Sequence, residues 1–187
     1  MVAVLTVRAA GVGDRPAVAA LAAMRRREAL TPGPGAELEA AAWAGLIAGA
    51  IGRPSTPLFV LAQGGALGGY AVAGVVDGLA GVPEGAIADL FVLPALRRRG
   101  GGRALALACE TALRALGCPS LTAQVPAQGP GAAAAQALAG HLGLAAERVV
   151  LARPVRQAAG GSSPAPAQMA VLGSPVSATG SLAWRSR

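Results

Sequence analysis

The sequence predicts an α/β fold in which helices pack on a mixed β-sheet, and three observations carry that reading. Apolar segments with strand and helix periods follow one another in the order β-α-α-β-β-β-α-β-α-β. Glycine and proline punctuate the junctions between them. The clearest helical pattern, residues 100–117, opens among glycines directly after a strand that ends at Pro94.

Residues 2–8 (VAVLTVR) read as the first strand. Asp14 is placed to cap a helix with Pro16 in its first turn and Val18, Leu21 and Ala22 on its apolar face. Arg25, Arg26 and Arg27 fall in its last turns, where cations complement the helix dipole. Thr31-Pro32-Gly33-Pro34-Gly35 breaks it, and a second helix spans 36–50, with Glu37 and Glu39 at its start and a stripe of Leu38, Ala42, Leu46 and Ala50. Strands at 58–63 and 69–77 are joined around Gly64–Gly68, and a third runs from 86 to 94. In the 100–117 helix Leu105, Cys109, Ala112 and Leu116 form the apolar stripe, with Glu110 and Arg114 paired on the wet side. A strand at 120–125, an Ala-rich helix at 132–142 and a last strand at 147–155 complete the domain, 1–156. Residues 157–187 are rich in Gly, Ser, Pro and Ala without any period, and are expected to be a disordered tail.

A chain of 187 residues suits one domain with its own core. Aromatic residues make up only 3%, so that core is built from Leu, Val, Ile and close Ala/Gly packing. The formal charge is +7, from 16 basic against 9 acidic residues, and every basic residue is arginine. A net positive chain favours anionic partners, but compositional bias accounts for much of the charge, so the clustered arginines carry the weight. Cys109 and Cys118 form no disulfide framework and no zinc motif, and are expected as small core residues; no metal site is expected. The uncharged stretch 58–76 contains Gln63 and five glycines, which a strand hairpin explains and a membrane helix does not. No secretion signal is apparent at the N-terminus, and a cytoplasmic location is expected.

The stretch 92–104 is the most informative. A strand ends, an arginine-bearing turn follows, and a helix begins among three consecutive glycines. The free N–H groups and positive dipole end of a helix N-terminus attract anions, and glycines let an anion approach closely. Neighbouring arginines add charge suited to a diphosphate. Neither the Walker spacing with its lysine nor the Rossmann glycine pattern with its acidic residue is present.

The segment resembles the central motif of the GNAT superfamily of N-acetyltransferases, V-x-P-x-x-(Q/R)-x-x-G-x-(G/A), as Val92-Leu93-Pro94-Ala95-Leu96-Arg97-Arg98-Arg99-Gly100-Gly101-Gly102. The order of flanking elements agrees over roughly residues 2–155. The resemblance implies the GNAT fold, with acetyl-CoA as co-substrate. Its diphosphate would lie on the backbone of Arg98 to Arg103, so Arg97, Arg98, Arg99, Gly100, Gly101, Gly102, Arg103 and Ala104 form the expected cofactor loop. In this pattern Gly100 and Gly102 hold the family's spacing, while Gly101 occupies the variable position. Leu90, Phe91 and Val92 would pair with the pantetheine arm, on a strand that the family splays from its neighbour by a bulge. The Val92 N–H would polarise the thioester carbonyl.

The acceptor chemistry is less well marked. The tyrosine with which many GNAT members protonate the leaving thiolate corresponds to Ala139, and the family's upstream asparagine to Ala132. The chain's one tyrosine, Tyr70, falls in a strand, and its one histidine, His141, reads as a surface or packing residue. Asp89 and Glu84, the latter in the loop GVPEGA, are the candidate bases for an ammonium substrate, acting through a water. Gln124 stands where some relatives carry a glutamate, and Glu37, Glu39 and Asp77 are further acidic groups able to attract a cationic amine.

Three functions follow from these residues. The leading one is direct transfer of acetyl from CoA to a primary amine of a small molecule or peptide. The second is an acyl-CoA-binding regulator of weakened catalysis, and the third a basic nucleic-acid binder. The third lacks the stacking aromatics that single-strand binding uses, so nucleic acid and membrane are not expected as partners. A homodimer is left open.

Overall fold

The chain folds as β1 (Leu5–Ala9), α1 (Arg15–Ala29), α2 (Ala36–Gly49), β2 (Leu58–Gln63), β3 (Ala66–Asp77), β4 (Pro83–Val92), α3 (Gly101–Ala115), β5 (Leu121–Ala123) and α4 (Ala132–His141). A computed structural model describes residues 4–30, 32–77, 81–126 and 131–145. The chain divides into units Met1–Ala146 and Glu147–Arg187, and all of these elements belong to the first. The strand expected at 147–155 and the tail expected from 157 lie outside the described residues.

The five strands form one sheet in the order β1-β2-β3-β4-β5. The first four pair antiparallel and β5 runs parallel to β4, so the sheet is mixed, as expected. Strand β3 is buried from Gly68 to Gly74, because both faces are covered. Tyr70 and Val72 join Val18, Leu21, Ala22, Ile47, Val60 and Phe91 in a core under α1 and α2. Ala71 and Ala73 join Leu61, Ile87, Val92, Leu105 and Cys109 in a second core under α3.

Most elements lie where the periodicity puts them, and the departures have physical causes. The β2–β3 connection is a two-residue turn at Gly64-Gly65 rather than a loop to Gly68; a register shift between Leu61 and Ala62 absorbs the extra residue. Strand β4 begins at Pro83, so Glu84 lies within a strand, 9% exposed, and not in a loop. In α2 the buried face is Ala40, Ala44, Ile47 and Ala48, while Leu38 is 77% exposed. That helix is apolar nearly all round, so a second stripe of small residues, which admits α1 closely, competes with the expected one. In α3 Leu113 is buried, but Leu116 lies past the end of the helix and is exposed.

Asp14 precedes α1 without capping it. Its carboxylate instead accepts from Arg8 at 2.6 and 2.8 Å and from the Gly11 N–H at 2.8 Å. The Arg8 bonds, then the Gly11 bond, hold its carboxyl at about 2, below the ordinary 3.8. The stability it contributes is therefore present above 3.8 and is lost as the pH falls towards about 2. Melting curves of Asp14→Asn are expected to show a shallower loss of stability across that acid window than wild type.

Candidate functional site

The ladder between β3 and β4 contains one irregularity, and it shapes the site. Val72 pairs with Asp89 and Ala73 with Ile87, which leaves Ala88 without a partner on β3. In an uninterrupted strand residues 87 and 89 share a face. Here Gly85 and Ile87 face α3, whereas Asp89 and Phe91 face α1 and α2. The extra residue thus turns a carboxylate away from α3 and brings Leu90 and Val92 to the α3 side.

The same point ends the pairing on the other edge. Strand β5 pairs with β4 only at Gly85, Ala86 and Ile87. Beyond Ile87 the β5 side of β4 has no ladder partner among the described residues. The Leu93 N–H donates to Gly68 O at 2.8 Å, continuing the β3 ladder. By antiparallel alternation, Phe91 bonds towards β3 while the backbone groups of Leu90 and Val92 point to the open edge. Of these groups the Leu90 N–H donates to Asp89 Oδ1 and the Val92 carbonyl accepts from Arg97 Nε, which leaves the Leu90 carbonyl and the Val92 N–H to meet an extended amide-bearing ligand.

The start of α3 lies beside this edge. Its first intrahelical bond runs from the Ala104 N–H to Gly100 O, so the N–H groups of Gly101, Gly102 and Arg103 precede the ladder. Gly100 has φ 81°, a left-handed conformation that favours glycine. A Cβ on Gly102 would lie 3.9 Å from Leu90 and 4.0 Å from Val92, so helix start and open strand form one surface. Arg98, Arg99 and Arg103 are exposed and make no ion pair among the described residues. Arg98 also has φ 64°, the one positive φ outside glycine among the described residues.

Gly101 differs from the expectation for a variable position. A Cβ there would come within 2.5 Å of Leu61 Cδ2, and Leu61 is fully buried. Its job is to let α3 lie close on the sheet.

The candidate carboxylates are not together. Glu84 and Asp89 are five residues apart on β4, roughly 15 Å along an extended strand. Asp89 Oδ2 accepts from Tyr70 at 2.5 Å and from the Trp43 indole at 3.2 Å, while Oδ1 accepts from the Leu90 N–H at 3.1 Å. Arg25 Nε lies 3.5 Å from Oδ1, and the Asp89 side chain is 8% exposed. Burial, and then the negative charge of Asp89, push the Tyr70 hydroxyl well above the ordinary tyrosine range. Tyr70 is fully buried and donates to Asp89, so it is not placed to give a proton to a ligand at the surface.

Glu37 and Glu39 are occupied by Arg27 and Arg26 of α1, and Arg26 also lies 5.5 Å over the Trp43 ring. The arginine cluster at the end of α1 therefore ties α1 to α2 and β4 as well as facing the helix dipole. Asp77, Gln124 and His141 are exposed, and Ala139 and Ala132 lie in α4. A cleft of ≈ 280 Å³, lined by 9–10, 52–54 and 56–59, lies against β1 and β2, across β3 from this site. Trp43, Tyr70 and Arg25 escape local sequence reasoning, because they meet Asp89 from three other elements.

A sheet opened at one parallel edge, with a glycine-rich helix N-terminus beside the opening, is the arrangement that the GNAT resemblance implies. Residues 20–143 match the Acetyltransferase (GNAT) family, and the chain belongs to that family. Solved structures share the fold. A ribosomal-protein-alanine N-acetyltransferase from Brucella melitensis superposes with a TM-score of 0.62 at 14% identity, over 81% of this chain and 99% of that one. The aminoglycoside N-acetyltransferase AAC(6')-Iy in complex with CoA gives 0.61 at 22% identity, over 82% and 97%. An aminoglycoside acetyltransferase from an uncultured soil metagenomic sample gives 0.64 at 19%, over 82% and 99%. A search of curated proteins returned no match. No helix among the described residues is long and apolar enough to cross a membrane.

Proposed function

We propose that the chain is an acetyl-CoA-dependent N-acetyltransferase that passes acetyl directly to a primary amine of a small molecule or peptide. The observation that carries this reading is the unpaired edge of β4 after Ala88, running into the free N–H groups at the start of α3. Gly101, Gly102 and Arg103 N–H groups would hold a diphosphate, with Arg98, Arg99 and Arg103 supplying charge beside it. The Leu90 carbonyl would accept from a pantetheine amide, and the Val92 N–H would donate to the thioester oxygen. Bound acetyl-CoA supplies the activated acetyl group.

Of the two carboxylates, Asp89 is the one on the opened segment, and it faces α1 and α2 rather than the α3 side. It would favour an approaching ammonium and take its proton through a water. Its donors from Trp43, Tyr70 and Arg25 fix it in place. Glu84, buried farther along β4, is paired with β3 and lies away from the opened segment. A thiolate whose parent thiol has a pKa of about 8.5 leaves without help, so Ala139 in place of a tyrosine costs at most the ~10²–10⁴-fold of a general acid. Two free cysteines also fit a reducing, cytoplasmic location.

The second reading, an acyl-CoA-binding regulator, is favoured by Ala132 and Ala139 in α4 together with the sealed Tyr70. Thiol release from acetyl-CoA across a panel of amines separates the two. Acceptor-dependent release supports the enzyme; tight binding with no release above background across the panel supports the regulator. The protein adds no background, because Cys109 and Cys118 are 0% and 7% exposed and burial pushes the Cys109 thiol up to about 12. Native protein is expected to give no thiol titre with a disulfide reagent, and two equivalents after denaturation.

A further inference from the structure

Arg97 stands in the loop motif, yet both its backbone and its side chain are engaged elsewhere. Its N–H donates to Pro94 O at 3.2 Å. Its Nε donates to Val92 O at 2.9 Å, and its Nη2 to the two Glu28 oxygens at 2.9 and 3.2 Å. Its guanidinium carbon lies 5.6 Å over the Phe91 ring. One side chain thus joins the last turn of α1, the end of β4 and the loop before α3.

What it holds is the peptide between Val92 and Leu93. On one side the Leu93 N–H donates to Gly68 O of β3. On the other, the Val92 carbonyl points to the open edge, where a strand neighbour would normally satisfy it. Arg97 takes that place with a charge-assisted bond, stronger than one from a neutral donor. Glu28 and the Phe91 face keep the guanidinium oriented. The peptide is therefore fixed from both sides, immediately after the residue whose own N–H faces the opening.

We infer that Arg97 is a positioning residue that, with Glu28 and Phe91, aims the Val92 N–H at the thioester carbonyl, and is not itself a ligand of the diphosphate. This rests on the reading that an acyl-CoA lies along β4. It predicts that Arg97 acts on the polarisation of the carbonyl more than on affinity.

The test is the infrared band of acetyl-CoA labelled with carbon-13 at the thioester carbonyl, bound to the full chain, with affinity measured by calorimetry. In wild type the band is expected below that of free acetyl-CoA. Arg97→Met keeps the stem over Phe91 and removes the donor; it should lose most of that shift while binding acetyl-CoA within about threefold of wild type, since a half-exposed ion pair adds little to binding elsewhere. Glu28→Gln should lose a smaller part of the shift in the same direction, and decides the matter should Arg97→Met fail to fold. A wild-type band in either folded variant overturns the inference. So does folded Arg97→Met that no longer binds acetyl-CoA, because Arg97 would then be holding the ligand itself. Wild type that binds no acetyl-CoA removes the acyl-CoA reading and this inference with it.

Discussion

Gly100→Glu is expected to weaken acetyl-CoA binding by about a hundredfold or more, with little loss of folded protein. Two effects act together. Gly100 has φ 81°, and an L side chain there costs about 1–2 kcal/mol, which moves the backbone that precedes the free N–H groups of α3. The new carboxylate also stands beside the place proposed for the diphosphate, replacing attraction by repulsion. Each factor of ten is about 1.4 kcal/mol, so the pair readily reaches a hundredfold. A Cβ at Gly100 meets nothing within 4 Å, so the core is undisturbed and the melting temperature should fall by only a few degrees. Arg98→Ala removes one exposed charge and is expected to cost far less. Calorimetric titration of both variants checks the ranking; equal affinities for Gly100→Glu and wild type would detach the ligand from this loop.

Asp89→Ala is expected to be the most destabilising substitution in the site, by about 3 kcal/mol. It leaves the buried Tyr70 hydroxyl and the Trp43 indole N–H without their acceptor, and Arg25 without its partner. Each unsatisfied buried group costs roughly 1–3 kcal/mol, and Arg25, itself 29% exposed, can turn to water. Denaturant unfolding at neutral pH measures the sum. Asp89→Asn keeps the shape and an acceptor oxygen and should lose only about a third as much. Turnover separates the proposed roles: if Asp89 draws the proton from the amine, Asp89→Asn loses activity out of proportion to its small loss of stability.

The loop before α3 was legible in the sequence because its chemistry is local. A strand end, a proline, arginines and a glycine at the helix start need no distant partner to attract an anion. The resemblance implied a bulge in this strand, but its place at Ala88 was not legible, since an extra residue in the alanine-bearing run AIADL leaves the apolar pattern unbroken. That one residue decides which face Asp89 takes, so alternation along the strand could not place it. The α2 stripe held only at its C-terminal end, where Ala50 is buried, for a related reason: in a helix apolar on nearly every side, packing against α1, not periodicity, selects Ala40, Ala44 and Ile47 over Leu38 and Ala42. Gly101 and Arg97 show a third limit. Their roles depend on Leu61 of β2 and Glu28 of α1, contacts that a motif read along one stretch does not contain.

The opened edge of β4 and the start of α3 are proposed to bind acetyl-CoA together. Amide nitrogen–proton NMR spectra, recorded as acetyl-CoA is added, test it by position. Saturable shifts are expected at Leu90, Val92 and Gly100 to Arg103, with the amides of β1 and of residues 52–59 nearly still. Shifts centred instead on the cleft at 52–59, or none at any concentration, would contradict it.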